Sequence, residues 1–270
     1  MSLVYRIIDS DADCDLMEED LRTLEQWEQD WSMEFAADKC KVLRVTRKLK
    51  RNIIFRSYKV NKFTLESVSS AKYLGVTFDS KLSFKEHIQD IIKKANSTRQ
   101  FLQRVLYRCD SNTKATCYKT YVRPILEYAS TSWDPHKGND SNRKSLESVQ
   151  NKAARYVNSD WRRTSSVSKM VSDLNWESLQ ERRARACVIM MHKIQNYLVA
   201  IPPTLFSYST YGMSTRGAPT KIIIPPCKLF YHHSFVPSAA AIWNSLPAAV
   251  ATMEDPESFR RAVTAMRFSG

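Results

Sequence analysis

The stretch Lys72–Ala95, KYLGVTFDSKLSFKEHIQDIIKKA, constrains this chain more than any other, because a short apolar strand turns there directly into a long amphipathic helix. Tyr73-Leu74-Gly75-Val76-Thr77-Phe78 sets β-branched and aromatic residues around a glycine, which suits a strand whose backbone comes close to something else. Beyond it Phe84, Ile88, Ile91, Ile92, Ala95, Leu102, Val105 and Leu106 fall on one helical face, while Lys93, Arg104 and Arg108 point roughly the other way. One face packs and the other carries positive charge. The chain before this junction reads as mixed α/β and the chain after it as mostly helical, so the expected class is α+β with helix dominant.

Hydrophobic residues make up 43% of the 270, enough for a sizeable core in one large or two modest domains. Lys and Arg number 41 against 28 Asp and Glu, a formal net charge of +13, which makes polyanions the natural partners; the alternative is that the excess only aids solubility. Cys14, Cys40, Cys109, Cys117, Cys187 and Cys227 lie far apart, with no C-x-x-C pair and no His at zinc-ligand spacing. They read as reduced, mostly buried thiols of an intracellular protein of nucleus or cytoplasm, not a secreted one. No run approaches the roughly 20 apolar residues needed to span a bilayer, so no membrane partner is expected.

Leu3-Val4-Tyr5-Arg6-Ile7-Ile8 predicts an opening strand. Asp11, Asp13 and Asp15 precede a helix with the apolar stripe Met17, Leu21, Leu24, Trp27, Trp31 and Phe35, where acidic side chains cap free N–H groups and favour the helix dipole. That reading competes with a metal site on the same carboxylates; it also places both tryptophans in the core. A strand over Lys39–Thr46 runs into the basic Arg47-Lys48-Leu49-Lys50-Arg51, either a nucleic-acid backbone contact or a solvated hairpin tip. Ile53–Phe55 and Tyr58–Phe63 predict a hairpin before the Tyr73 strand.

Helices are expected over about 84–107, 114–128 with a kink at Pro124, 142–157, and 168–197 with a break near Asn175. Asp134–Asn139 and the polar Ser159–Ser168 read as connections. The helix over 142–157 offers Lys144, Lys152 and Arg155 either to phosphates or to solvent, and Arg182, Arg183 and Arg185 add further charge. Prolines at 202, 203, 219, 225, 226 and 237 punctuate an irregular region with a short strand at Lys221–Ile224; Trp243 then docks into the core before a last helix over about 256–268. The adjacent His232 and His233 would point apart in an extended segment and so do not share a ligand.

Taken in order, the Trp27 and Trp31 helix leading into Lys39-Cys40, Lys72 to Phe78, Leu82-Ser83-Phe84, His87 to Ala95, Tyr121-Val122-Arg123-Pro124-Ile125-Leu126-Glu127-Tyr128, Leu146-Glu147-Ser148-Val149-Gln150 and Trp243-Asn244-Ser245-Leu246-Pro247 resemble the reverse transcriptases of non-LTR retrotransposons, LINE-type and jockey-like. The resemblance implies the C-terminal part of an RNA-directed DNA polymerase. It divides the chain into a residual palm with the primer-grip strand (1–80), a thumb-like helical bundle (81–158) and a helical and Pro-rich irregular C-terminal domain (159–270).

In that family the opening strand is the second arm of a hairpin whose turn carries Phe/Tyr-Ala-Asp-Asp, the carboxylates that hold two divalent metals for nucleotidyl transfer. This chain starts just past that pair, so the resemblance implies no catalytic residue, metal or cofactor here; Mg2+ belongs to the full-length family member. Lys39 matches the palm lysine beside the incoming nucleotide's phosphates, although Ala36 stands near where the family has Asn. Tyr73, Leu74 and Gly75 match the primer grip, where a glycine lets the backbone approach a sugar-phosphate; the plain alternative is an edge strand. With Lys93, Arg104, Arg108, Lys152 and Arg155 they make the expected contacts to an RNA/DNA template-primer duplex, held without sequence preference, with a missing N-terminal half of the polymerase as a further partner. The Cys-Cys-His-Cys knuckle of some members is absent. Against polymerase-derived holding stand two other expectations, a non-catalytic nucleic-acid or protein-binding module and a degenerate fragment without function.

Overall fold

The computed structural model describes residues 3–48, 53–134, 140–208, 221–224 and 234–268. Two compact units divide the chain, Met1–His87 and Ile88–Gly270.

In the first unit, α1 (Asp11–Asp30) opens with a capping box in which the Ser10 hydroxyl accepts from the Asp13 N–H and the Asp13 carboxylate returns to the Ser10 N–H. The expected strand at 3–8 is instead irregular, because none of its backbone pairs with a neighbour among the described residues; Arg6 ties it to α1 through a forked bond to Asp20 at 2.9 and 2.7 Å. The strands are short: β1 (Lys41–Leu43), β2 (Lys59–Val60), β3 (Phe63–Thr64), β4 (Glu66–Val68), β5 (Ser70–Tyr73) and β6 (Val76–Asp79). β1 and β4 pair in parallel with Lys41 opposite Glu66, while β2–β3 and β5–β6 are antiparallel hairpins. The hairpin foreseen over 53–63 is therefore shifted along the chain, and 53–55 is irregular.

α1 lies against β2, burying Cys14, Tyr58 and Val60. The Asn61-Lys62 turn of β2–β3 is held by α1 carboxylates: Glu25 accepts from the Asn61 N–H at 2.6 Å and Glu28 from the Asn61 side-chain amide at 2.7 Å. Trp27 and Trp31 are not core. They are 41% and 66% exposed; for Trp31 the cause is that the helix ends at Asp30 and Ser32 turns into positive φ, which carries it off the packed face.

The second unit is helical, from α2 (Lys85–Val105), whose first turn contains the division between units, through α3 (Ser111–Cys117), α4 (Arg123–Glu127), α5 (Ser130–Trp133), α6 (Asp140–Asn158), α7 (Val167–Asp173) and α8 (Leu179–Gln195) to α9 (Phe235–Trp243), α10 (Ala248–Ala251) and α11 (Pro256–Ala265). The helix predicted over 114–128 is broken into α3, a π-turn at Tyr118–Val122 and α4, whose first turn takes Pro124. Proline has no N–H to give, so the wider π-turn and a restarted helix replace the expected kink. The break near Asn175 is present: Asn175 adopts φ 52°, and Ser178 restarts the chain as α8 with Glu181 completing a capping box.

α8 packs against α9 and α11, and the buried set runs through Val188, Met191, Ile194, Trp243, Phe259 and Val263. Trp243 is core, as foreseen, stacked on Phe259 at 5.7 Å. The strand at 221–224 is present as Ile222–Ile223, paired with Ser207–Tyr208. His232, His233, Cys227, most of the Pro-rich run and the centre of the 134–139 connection lie outside the described residues. Among the described residues no helix is long and apolar enough to cross a membrane.

Candidate nucleic-acid interface

The Tyr73-Leu74-Gly75 stretch is not one strand passing through a glycine; it is the tip of the β5–β6 hairpin, with Tyr73 opposite Val76. Leu74 at φ 45° and Gly75 at φ 85° form the two-residue turn, the conformation that matches the twist of the flanking strands. Gly75 adopts it freely, while a leucine at positive φ is strained by about 1 kcal/mol or more. The turn thus exposes a strained leucine, 60% accessible, beside a glycine whose backbone carries no Cβ.

Asp79 ends β6 and sets the path into α2. Its carboxylate accepts the N–H groups of Lys81, Ser83 and Phe84 at 2.9, 2.9 and 2.8 Å and the Ser83 hydroxyl at 3.0 Å. Partial burial works against its ionised form, but those bonds outweigh it and hold the carboxyl below its ordinary range. Phe84 closes the corner edge-on to Phe78 at 5.5 Å.

Lys39 lies exposed at the end of the one-turn 3-10 helix Ala37–Lys39. The acidic cluster does not fit a pair of magnesium ions. Asp13 is spent on the cap, its carboxyl lowered first by the Ser10 hydroxyl and then by the N–H groups of Asp9 and Ser10, and Asp15 pairs with Arg56 at 2.6 Å. Among the described residues no group of three or more His, Cys, Asp or Glu is placed to hold a metal ion.

In the second unit the Tyr156 hydroxyl donates to the Leu102 carbonyl at 3.1 Å, which brings the last turns of α2 to α6. Arg104 is exposed two residues beyond Leu102, and Lys152 is exposed one turn before Tyr156. Arg108, also exposed, lies over the Tyr107 ring at 5.1 Å, and Lys93 is exposed with Asp90 at 3.9 Å. Arg155 is different. Its guanidinium donates to the carbonyls of Asp160, Arg162 and Ser165 at 3.4, 2.9 and 3.3 Å, which commits it to shaping the loop after α6.

The arginines of α8 are likewise interior. Arg183 and Arg185 are buried and Arg182 half-buried, and all three have carboxylate partners: Arg182 with Glu127 and Glu177, Arg183 with Asp134 at 2.6 Å, Arg185 with Glu177 at 2.6 Å. The run of arginines in the sequence holds no trace of these acids, which come from other elements. A signal did exist in the stretches that carry the resemblance. Glu127 closes one of them, Gln150 of another accepts from the Tyr118 hydroxyl at 3.1 Å and donates to the Glu177 carbonyl at 2.9 Å, and Glu147 accepts the Gln180 N–H at 2.9 Å. Asn244 of the last stretch clamps Ile222 with both ends of its amide, each at 2.9 Å.

Comparison with known proteins bears on what such a chain derives from. It is 27% identical over 135 residues to a probable RNA-directed DNA polymerase from transposon X-element of Drosophila melanogaster, a match over 49% of this chain and 14% of that protein. The relationship is to a reverse transcriptase. The match spans about one seventh of the Drosophila polymerase's own length, and no protein-family model or solved structure matches the chain.

Proposed function

We propose that the chain is the duplex-holding part of a LINE-type, jockey-like retrotransposon polymerase: it grips an RNA/DNA template-primer duplex through its backbone and performs no nucleotidyl transfer by itself. The observation that carries this reading is the 135-residue similarity to a transposon RNA-directed DNA polymerase. The β5–β6 tip supports it, since a two-residue turn with Gly75 at φ 85° lets main chain approach a sugar-phosphate that a Cβ would hold off. Exposed Lys93, Arg104, Arg108 and Lys152 supply charge for phosphates, which position a strand without reading its bases. In this reading 1–80 is residual palm, 81–158 thumb and 159–270 the C-terminal domain. In this reading Mg2+ and the transfer chemistry are supplied by a catalytic polymerase partner.

The test pairs binding with chemistry. The purified chain is titrated onto a labelled primer-template duplex at several salt concentrations, and extension of the same primer is followed with magnesium or manganese. Saturable binding that weakens steeply between about 50 and 200 mM salt, without extension, is expected. Salt-independent binding sinks the holding role, and nucleotide incorporation sinks the claim of inactivity.

A further inference from the structure

The polar connection read over Ser159–Ser168 runs as a loop to Ser166, where α7 is capped, and that loop is closed by hydrogen bonds from both sides. From α6, Arg155 holds the carbonyls of Asp160, Arg162 and Ser165. From within, the Asp160 carboxylate accepts the Arg162 N–H at 3.0 Å, the Arg162 guanidinium at 3.1 and 2.9 Å and the Ser165 hydroxyl at 2.6 Å. This over-determined loop presents Trp161, 52% exposed, beside an exposed Arg163 whose guanidinium is bonded to no carboxylate among the described residues.

A rigid loop that leaves an indole in water forgoes the burial a tryptophan normally gains. The surroundings decide what would cover it. Ser159, Asp160, Arg162, Arg163, Thr164, Ser165 and Ser166 are all polar, so within its own loop Trp161 is a single aromatic plane flanked by polar residues, which favours a polar, charged ligand over an apolar partner or a lipid interface. The internal ion pair with Asp160 uses the charge of Arg162, whereas Arg163 remains available for an anion. An aromatic plane beside an available guanidinium fits a ligand with a flat face and an adjacent negative charge, which is a nucleotide whose base is not already paired and stacked.

We propose that Trp161 and Arg163 form a contact for single-stranded nucleic acid, a base stacking on the indole and the neighbouring phosphate pairing with Arg163, with Arg155 as the positioning residue that fixes the loop's shape. This rests on the nucleic-acid reading above and adds to it a site for unpaired strand.

The experiment titrates the full chain and its W161A, W161F and R163Q variants onto a labelled single-stranded RNA, the same sequence in DNA, and a blunt RNA/DNA duplex. W161A is expected to weaken single-strand binding about tenfold, since loss of one stacked base costs roughly that much, while W161F keeps most of it. R163Q should weaken binding and lower the salt slope by about one. R155K, which has no fork to span the carbonyls, should weaken single-strand binding and speed amide exchange at Arg162 without altering the salt slope. Duplex affinity stays unchanged in W161A. Wild-type single-strand affinity retained in W161A overturns the proposal; so does absence of single-strand binding by the wild type, or Trp161-dependent binding to anionic vesicles in its place. Loss of duplex binding alone, with Trp161-dependent single-strand binding intact, defeats the duplex-holding function and leaves this site standing.

Discussion

Arg183 carries a full positive charge into the interior with its side chain 0% exposed, one bond to Asp134 and both terminal nitrogens unpartnered. A buried pair of this kind costs desolvation that its attraction only partly returns, and removing one member leaves the other uncompensated. Asp134→Ala should therefore destabilise the second unit by ~3–5 kcal/mol, whereas Asp134→Leu with Arg183→Met should come close to the wild type; urea denaturation of both variants decides it. Glu177 offers a pH test. The forked bond from Arg185 holds its carboxyl below the ordinary range, so its folded pKa lies below its unfolded one. Its contribution is present above the unfolded value, near 4.3, and is lost as pH falls through the folded value. The urea midpoint of the wild type should drop more steeply than that of Glu177→Gln as pH is lowered below about 4.5. None of this was legible from single residues, because a run of arginines on a helix looks alike whether it faces water or acids supplied by α4, the chain after α5 and the loop before α8.

At the level of elements, periodicity located the long helices well: α2, α6 and α8 fall within a few residues of their predicted ranges. It failed where two residues decide the path. A stretch rich in β-branched and aromatic residues around Leu74-Gly75 gives the same pattern for a continuous strand and for two short strands joined by a turn, and only the positive φ of both turn residues separates them. The Asp79 corner and the π-turn at Tyr118–Val122 escaped for the same reason, since their information lies in hydrogen-bond geometry and not in apolar spacing. The hairpin makes its own prediction. Asn tolerates the left-handed region that Leu resists, so Leu74→Asn should increase amide protection of Tyr73 and Val76 by on the order of 0.5–1 kcal/mol, and Gly75→Ala should reduce it by about 1 kcal/mol. If the tip contacts the primer backbone through Leu74 and Gly75, both substitutions lower duplex affinity although they move stability in opposite directions. A variant series in which affinity simply follows protection would assign the tip a folding role alone.

For the molecule as a whole, the count of 41 lysines and arginines overstates how many cations a polyanion would meet. Arg182, Arg183 and Arg185 are paired with Glu127, Asp134 and Glu177, Arg6 and Arg56 with the carboxylates of α1, and Arg155 is bonded to carbonyls. The cations left at the surface are of the kind represented by Lys93, Arg104, Arg108 and Lys152. Each phosphate neutralised releases counterion, so the slope of log affinity against log salt reports how many phosphates are engaged and not the total charge. Replacing Arg104, Arg108 and Lys152 with glutamine should flatten the slope by about 0.9 for each phosphate no longer neutralised and leave the urea midpoint nearly unchanged, because these side chains are exposed. Replacing Arg185 with methionine also removes positive charge, yet it should leave the slope where it was and lower stability, because Glu177 loses its forked partner and keeps only Arg182 at 3.5 Å. If the Arg185 change flattens the slope as much as any single exposed replacement, binding follows overall charge and the surface cations hold no defined place on a duplex; if only the exposed set does, the fold has sorted its arginines into those that build the molecule and those that meet nucleic acid.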